Sequence, residues 1–178
     1  MPVTLMSFNT QHCMNYITKE VEYDSFAEEI RRHNADIIGL NEVYDQCDSG
    51  KFPAQVKILA EKLGYYYYFA QAVKFKNQEP YGNGILSRFP IISAETILIP
   101  KPEIPAYSGY YESRCLLKAK IDVCGGLEVG VIHFGLNQDE KENAVNAILT
   151  NIGDKKSVLM GDFNITPDNP LLIPIKEK

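Results

Sequence analysis

The sequence predicts an α/β protein with a mixed β-sheet, folded as a single domain over residues 1–178. Short apolar runs alternate along the chain with segments whose apolar residues recur at helical spacing. The pair Gly125-Gly126 separates two apolar runs and predicts a hairpin turn. The chain length falls within the roughly 100–200 residues usual for one domain. Interspersed helices and a hairpin are together typical of a mixed sheet in an α/β protein.

The predicted strands are apolar or aromatic runs that end in polar or turn-forming residues. They cover residues 3–8, 36–40, 65–69, 91–99, 115–123, 127–132 and 158–160. Apolar residues also occupy positions 82–90, where glycines and a proline bound them. Residues 100–113 contain Pro100, Pro102 and Pro105 and are predicted to form a loop with polyproline character.

Three helices are predicted between the strands. Ser25-Phe26-Ala27-Glu28 is a capping-box pattern, which predicts that the first helix begins there. The second helix is expected to run from about Pro53 to Gly64, because glycine readily adopts the left-handed backbone that ends a helix. The third is expected after Asn137, where one stripe contains Val145, Ile148, Leu149 and Ile152.

Composition narrows the class of protein. A net charge of −5 and a pI near 5.2 provide no general attraction for nucleic acid, which weakens a nucleic-acid substrate without excluding it. Cys13, Cys47, Cys115 and Cys124 form no CxxC pair and no zinc-ligand spacing, so we predict reduced thiols in a cytoplasmic protein. The sequence shows no signal peptide and no apolar run long enough to span a bilayer.

Four apolar strands each run into a polar residue that can bind a ligand or transfer a proton. These residues are Asn9, Glu42, His133 and Asp162. Each of them alone has an ordinary structural explanation, such as a solvated strand end, a core histidine or a turn. Because strands that end together bring such residues to one rim of an α/β protein, their joint occurrence predicts a shared site.

The residue types at this rim indicate metal-assisted chemistry. Glu42 and Asp162 are hard oxygen donors without a cysteine–histidine set beside them, which favours Mg²⁺ or Mn²⁺ over zinc. Asn9 and Asn164 suit neutral partners that orient a ligand or donate to a phosphoryl oxygen. No phosphate-binding P-loop and no GxSxG nucleophile motif occurs in the sequence.

Only three histidines are available as general acid or base. His133 is the best candidate because burial at a strand end can tune its pKa, although a purely structural histidine is the alternative. His33 follows two arginines near a helix end, where a cation complements the helix dipole. His12 lies just beyond Asn9, and its role is left open.

Five blocks of sequence, taken in order, resemble one known family. They are Met6-Ser7-Phe8-Asn9, Ile37-Ile38-Gly39-Leu40-Asn41-Glu42-Val43, Gly82-Asn83-Gly84-Ile85-Leu86-Ser87-Arg88-Phe89-Pro90-Ile91, Val131-Ile132-His133-Phe134-Gly135-Leu136 and Met160-Gly161-Asp162-Phe163-Asn164. The chain is similar in these blocks to the endonuclease/exonuclease/phosphatase (DNase I-like) superfamily. The resemblance implies a sandwich of two β-sheets flanked by helices. It also implies Mg²⁺-dependent hydrolysis of phosphate esters by direct attack of water.

The resemblance also implies residue roles. Glu42 would be the principal metal ligand, with Asn9 beside the metal. Asp162 would position or deprotonate the water, or join the metal shell. Asn164 would contact the phosphate, and His133 would assist the phosphoryl group or the leaving oxygen.

Two further residues are predicted to bind substrate. Asn83 lies in a matching block, and Arg114 is suggested by its charge alone. Asn41 stands where the family often has glutamine, and a shorter amide should be tolerated there.

The family pattern continues into further strands and closes with Ser-Asp-His, a tripeptide that this sequence does not contain. We therefore expect missing C-terminal strands, exposed strand edges that permit self-association, and little or no hydrolase activity from this chain.

Two function classes follow from these observations. The first is a metal-dependent phosphodiesterase, phosphatase or nuclease. The second is a non-catalytic binding or scaffold protein that retains the fold, or an inactive fragment. For the substrate, the acidic balance and the absence of tryptophan favour a small phosphate ester or a lipid headgroup over nucleic acid.

Overall fold

The computed structural model describes residues 2–46, 53–75, 79–153 and 156–178, and shows two four-stranded sheets packed face to face. The first sheet has the order β1-β2-β4-β3 and consists of β1 (Leu5–Asn9), β2 (Ile37–Tyr44), β3 (Tyr66–Lys74) and β4 (Pro80–Ser87). The second has the order β5-β6-β7-β8 and consists of β5 (Ile91–Leu98), β6 (Cys115–Ile121), β7 (Leu127–His133) and β8 (Ser157–Asp162). The pairs β1–β2 and β7–β8 are parallel and the other neighbours are antiparallel. The predicted α/β class and two-sheet arrangement are confirmed.

Helices cover both outer faces of this sandwich. Apolar residues of α1 (Tyr23–Arg32) and α2 (Gln55–Leu63) pack on the first sheet, and those of α3 (Gln138–Asn151) pack on the second. A short α4 (Ile173–Lys176) also packs against α3. Within the described ranges, none of these helices has both the length and the apolar character needed to cross a membrane.

The core is divided into three layers by the two sheets. Ile30 and Leu59 lie in the layer between the helices and the first sheet. Ile85 and Val131 lie between the two sheets, and Ile132 lies between the second sheet and α3. Because both faces of the central strands are covered, β4 and most of β7 are buried along their length. Such burial holds the strand ends, and therefore the polar residues on them, in a defined arrangement.

Two of the predicted helix boundaries are confirmed and one is wrong. Gly64 ends α2 with a left-handed φ of 71°, and Asn137 caps α3 through a capping box with Glu140. The first helix begins at Tyr23 and therefore contains Ser25, whose hydroxyl donates to the Glu22 side chain instead of capping a backbone amide. Glu22 directly precedes the helix, and its carbonyl already accepts from the backbone N–H of Phe26, so the helix starts before Ser25 can cap it.

Two strands are longer than predicted. The strand β2 continues to Tyr44, so Glu42 lies inside a strand and not after it. The strand β3 continues to Lys74, well beyond the aromatic run, because pairing with β4 supplies its backbone hydrogen bonds. The helical turns over Pro170–Leu172 and Ile173–Lys176 were not predicted from the sequence.

The cysteines that the structure describes are all free thiols. Cys13 and Cys115 are buried, and burial raises the pKa of each thiol to about 12, whereas Cys124 is exposed. Cys47 lies outside the described residues.

Candidate active site

Four strand segments from the two sheets meet at one edge of the sandwich. Asn9 ends β1 and pairs in register with Asn41 of β2, while His133 ends β7 and pairs with Asp162 at the end of β8. The register between β2 and β4 shifts between Leu40 and Val43, which places Glu42 on a β-bulge. Glu42 has a φ of 57°, an uncommon left-handed conformation for a residue with a side chain. The bulge redirects this carboxylate toward the strand ends, as bulges beside functional sites often do.

The amide of Asn9 links the two carboxylates of the site. Its Nδ2 donates to Glu42 Oε1 at 2.9 Å and to Asp162 Oδ2 at 3.2 Å. Its Oδ1 accepts from the backbone N–H of Gln11. Residues 153 positions apart in sequence are thus joined through one side chain. In this arrangement Asn9 orients the carboxylates through its nitrogen, and ligation of a metal by its oxygen would require the amide to turn.

A pair of buried amides lies beneath the carboxylates. Asn41 Nδ2 donates to Asn83 Oδ1 and to the carbonyl of Ile132, and Asn41 Oδ1 accepts from the backbone N–H of Asp162. Asn83 Nδ2 donates in turn to the carbonyl of Cys115. Asn83 is only 2% exposed. These amides connect the two sheets, so Asn83 supports the site from below and does not line its opening.

The turn that follows β8 holds Asp162 in place. Asp162 Oδ1 accepts from the backbone N–H of Asn164, and Asn164 Nδ2 donates to the carbonyl of Phe134. Gly161 has a φ of 142°, and a Cβ at this position would lie 1.8 Å from the carbonyl oxygen of Ile132. Only glycine fits this approach to β7. The Gly-Asp-Phe-Asn motif therefore combines a steric requirement with a carboxylate held by two donors.

His133 is oriented by a cation and not by an anion. Its Nδ1 lies 2.9 Å from a terminal nitrogen of Arg114. Because a guanidinium can only donate, Nδ1 accepts, and neutral His133 carries its proton on Nε2. That Nε2 lies 4.0 Å from Asp162 Oδ2. Burial and the Arg114 charge lower the pKa of His133 to about 4, which makes the ring a neutral N–H donor at neutral pH.

The same terminal nitrogen of Arg114 also lies close to a carboxylate. It forms a 2.9 Å ion pair with Glu112, and both side chains are largely buried. Burial raises the pKa of Glu112, while the Arg114 charge acts in the opposite direction. In the described structure Arg114 therefore contacts His133 and Glu112. It affects the site at the edge of the sandwich through the His133 imidazole.

The site fits a hard cation by its donor set. Glu42 and Asp162 bring two carboxylates to one amide, and opposite charge would relieve their mutual repulsion. In the part of the chain that the structure describes, no group of three or more His, Cys, Asp or Glu side chains is arranged to hold a metal. An open cavity of about 420 Å³ adjoins the Asp162 carboxylate and is lined by Ser7, Asn9, Asn41, Gly161, Asp162, Phe163, Asn164 and Ile165.

Taken together, the fold is a helix-flanked two-sheet sandwich with an acid–amide–histidine site at one edge. A family model described as Endonuclease/Exonuclease/phosphatase family matches residues 6–177, and the chain belongs to this family. A comparison with curated proteins found no match.

Solved structures share the fold at low sequence identity. An endonuclease/exonuclease/phosphatase from Beutenbergia cavernae has a TM-score of 0.72 and 23% identity, over 94% of this chain and 50% of that one. ANGEL2, a 2′,3′-cyclic phosphatase, has a TM-score of 0.71 and 20% identity, over 98% of this chain and 56% of that one. A mannosyl-6-phosphatase from Bacteroides thetaiotaomicron has a TM-score of 0.66 and 18% identity, over 96% and 68%. The chain thus spans about half the length of the Beutenbergia cavernae structure.

The structure brings together most of the residues that the sequence singled out. Asn9, Glu42, His133 and Asp162 meet as expected from their strand ends, and Asn164 adjoins them through its backbone. Sequence reasoning missed Glu112 and the buried Gln55, which links the backbone of Tyr44, just after the Glu42 bulge, to that of His12. A polar residue on the buried face of a predicted helix was the signal available for Gln55.

Proposed function

We propose that this site hydrolyses phosphate esters with the help of a bound divalent cation, Mg²⁺ or Mn²⁺. The observation that carries the proposal is the double hydrogen bond from Asn9 to the carboxylates of Glu42 and Asp162. Two carboxylates lie close together beside a neutral histidine. They suit a phosphate that is bound together with a cation better than a phosphate bound without one. Membership of the family supports the same reaction class.

In this proposal Glu42 and Asp162 hold the cation, and Asn9 keeps the two carboxylates oriented. A divalent cation would neutralise phosphate charge and lower the pKa of an attacking water. Asp162 accepts hydrogen bonds from Asn9 and from the backbone of Asn164, which leaves lone pairs on both oxygens for a water or the cation. Asp162 is therefore suited to position that water.

His133 would act as a hydrogen-bond donor to a phosphoryl or leaving oxygen. Arg114 holds Nδ1, so the Nε2 proton is directed at the carboxylate side of the site. Arg114 thus assists phosphate binding through the imidazole. Direct contact between Arg114 and the phosphate, as the sequence suggested, would have to use its other guanidinium donors, because one terminal nitrogen contacts both His133 and Glu112.

The two remaining predicted residues take different roles in the proposal. Asn164, half-buried beside the cavity, is placed to contact the phosphate if its amide turns from the carbonyl of Phe134. Asn83 supports Asn41 from within the sandwich and would influence the site only through that amide.

The proposed substrate is a small phosphate ester, in preference to nucleic acid. The net charge of −5 supplies no attraction for a polyanion. The cavity of about 420 Å³ beside the Asp162 carboxylate is of a size suited to a small ligand. Among structures of similar fold, ANGEL2, a 2′,3′-cyclic phosphatase, was solved in complex with adenosine-2′,3′-vanadate, and another is a mannosyl-6-phosphatase.

The test is hydrolysis of a chromogenic phosphodiester with and without Mg²⁺. The assay compares this chain with one extended through a Ser-Asp-His segment, and we expect Mg²⁺-dependent turnover from the extended chain. Glu42→Ala should abolish Mg²⁺-dependent turnover in the extended chain, while Glu28→Ala, at an exposed carboxylate of α1, should not. An inactive extended chain would rule out the hydrolase.

A second candidate is a non-catalytic binding protein that keeps the fold. The observation in its favour is that the Asn9 amide donates to both carboxylates, so Glu42 and Asp162 are hydrogen-bonded without a cation. If Mg²⁺ leaves the melting temperature of both chains unchanged, the result supports the non-catalytic binding protein. Self-association through the edge strands β1, β3, β5 and β8 is proposed under either function, and sedimentation would detect it.

A further inference from the structure

One titratable side chain at the site has no role in the proposed reaction. His12 Nε2 lies 3.9 Å from Glu42 Oε2, on the opposite carboxylate oxygen from the one that Asn9 binds. The His12 side chain is partly exposed at the rim. Glu42 is therefore approached by one N–H group on each of its oxygens.

The backbone that presents His12 is unusual. Gln11, His12 and Cys13 have φ values of 45°, 64° and 57°, three consecutive left-handed residues without a glycine. Each such residue is in a strained backbone conformation. A conformation of this kind persists only where the surroundings enforce it, and such strain concentrates at functional sites.

The enforcing contact comes from Gln55 on α2, which is fully buried. Gln55 Nε2 donates to the carbonyl of His12 at 2.7 Å, and Gln55 Oε1 accepts from the backbone N–H of Tyr44 at 2.8 Å. Tyr44 lies just beyond the bulge that carries Glu42. One side chain thus fixes the distance between the His12 turn and the Glu42 bulge.

The imidazole itself is held between aromatic rings. Its centroid lies 4.9 Å from that of Tyr44 and 5.5 Å from that of Tyr81. Its Nδ1 is buried and has no hydrogen-bond partner among the described residues. An Nε2 lone pair would face the Glu42 carboxylate and be repelled, so the proton of neutral His12 belongs on Nε2.

We propose that His12 is a positioning residue that holds Glu42 in its cation-binding orientation through Nε2–H, and that Gln55 sets its position. The inference rests on the proposed function, because it assigns Glu42 as a cation ligand. At 3.9 Å the two atoms are farther apart than in a hydrogen bond, so the carboxylate has to move toward Nε2 for the bond to form. Removal of the donor would let the carboxylate rotate and would weaken cation binding.

The experiment measures Mn²⁺ binding by electron paramagnetic resonance on purified variants. His12→Phe keeps a ring between the tyrosines but removes the donor, and should weaken Mn²⁺ binding about tenfold, as loss of a partner of a metal ligand does. His12→Gln restores an N–H near the position of Nε2 and should recover most of the affinity. His33→Phe, at an exposed histidine that contacts Glu29, is the matched control and should bind as the unaltered chain does.

The outcomes separate the two proposals. If the unaltered chain does not bind Mn²⁺, or Glu42→Gln binds equally well, the proposed function fails. If Glu42→Gln loses binding and His12→Phe does not, only the role of His12 is overturned.

A second measurement covers the case in which His12→Phe fails to fold. The ¹⁵N spectrum of the histidine side chains in the unaltered chain should show His12 as the Nε2–H tautomer, with a shift that changes in Glu42→Gln. An Nδ1–H tautomer would contradict the inference, as would a His12 ¹⁵N shift that is the same in the unaltered chain and in Glu42→Gln.

Discussion

The guanidinium of Arg114 donates a hydrogen bond to Nδ1 of His133. This contact reverses the usual arrangement, in which a carboxylate accepts from a catalytic histidine and favours its protonation. Here burial and the neighbouring cation keep the imidazole neutral, with its remaining proton on the side of Asp162.

Stability should fall as the pH is lowered through the range set by His133. Its pKa is about 4 in the folded chain and is ordinarily 6.5, so the unfolded chain binds the extra proton first as pH falls. The free energy of unfolding should therefore decrease as the pH falls, starting near pH 6.5 and ending below pH 4. The upper limit of this decrease is about 3 kcal/mol. Urea denaturation across this range, without divalent cations, measures it. The slope should flatten in His133→Gln and persist in His33→Gln, and a pH-independent midpoint would refute the shifted pKa.

Divalent cation should stabilise the folded chain through Glu42. A ligand that binds only the folded state at one hundred times its dissociation constant adds about 2.7 kcal/mol. We expect the melting temperature to rise with Mg²⁺, to return to its starting value when a chelator is added, and to be insensitive to Mg²⁺ in Glu42→Gln. Glu28→Gln, at an exposed carboxylate paired with Arg31, should retain the full response. An equal response in both variants would place the cation elsewhere.

Asn41→Ala should be strongly destabilising. It would leave Asn83 Oδ1, the carbonyl of Ile132 and the N–H of Asp162 without their partner. Each unsatisfied buried group costs about 1–3 kcal/mol, so a total near the upper end of single-residue effects is expected. Asn143→Ala, which removes an exposed hydrogen bond to the carbonyl of Pro100, should change the urea midpoint little. Equal effects would mean that the amide pair does not connect the sheets.

Gly161→Ala should prevent normal packing of β8 on β7. The new Cβ would lie 1.8 Å from the carbonyl oxygen of Ile132, and the backbone is already left-handed. Gly64→Ala is the matched control, because Gly64 is also left-handed but has open space around it. We expect roughly 1 kcal/mol of destabilisation for Gly64→Ala and a much larger loss, or no soluble protein, for Gly161→Ala. Comparable thermal stability of the two variants would contradict the steric argument.

The sequence by itself determined the class of fold, the elements and the polar strand ends. Apolar periodicity predicted seven strand segments and three helices, because an element that buries one face has apolar residues at a regular spacing along the chain. Asn9, His133 and Asp162 could be selected because each follows an apolar run. The capping box predicted at Ser25 was wrong because the helix begins at Tyr23, where the carbonyl of Glu22 accepts the first helical hydrogen bond from Phe26.

Only the tertiary structure decided how these residues act on one another. The bulge at Glu42, the burial of Asn83 beneath the site and the contact of Arg114 with His133 depend on how two sheets pack. His12 gained a role for the same reason, because its partners come from β2, β4 and α2. Hydrogen bonds between side chains distant in sequence depend on three-dimensional packing. The local spacing of residues along the chain does not predict that packing.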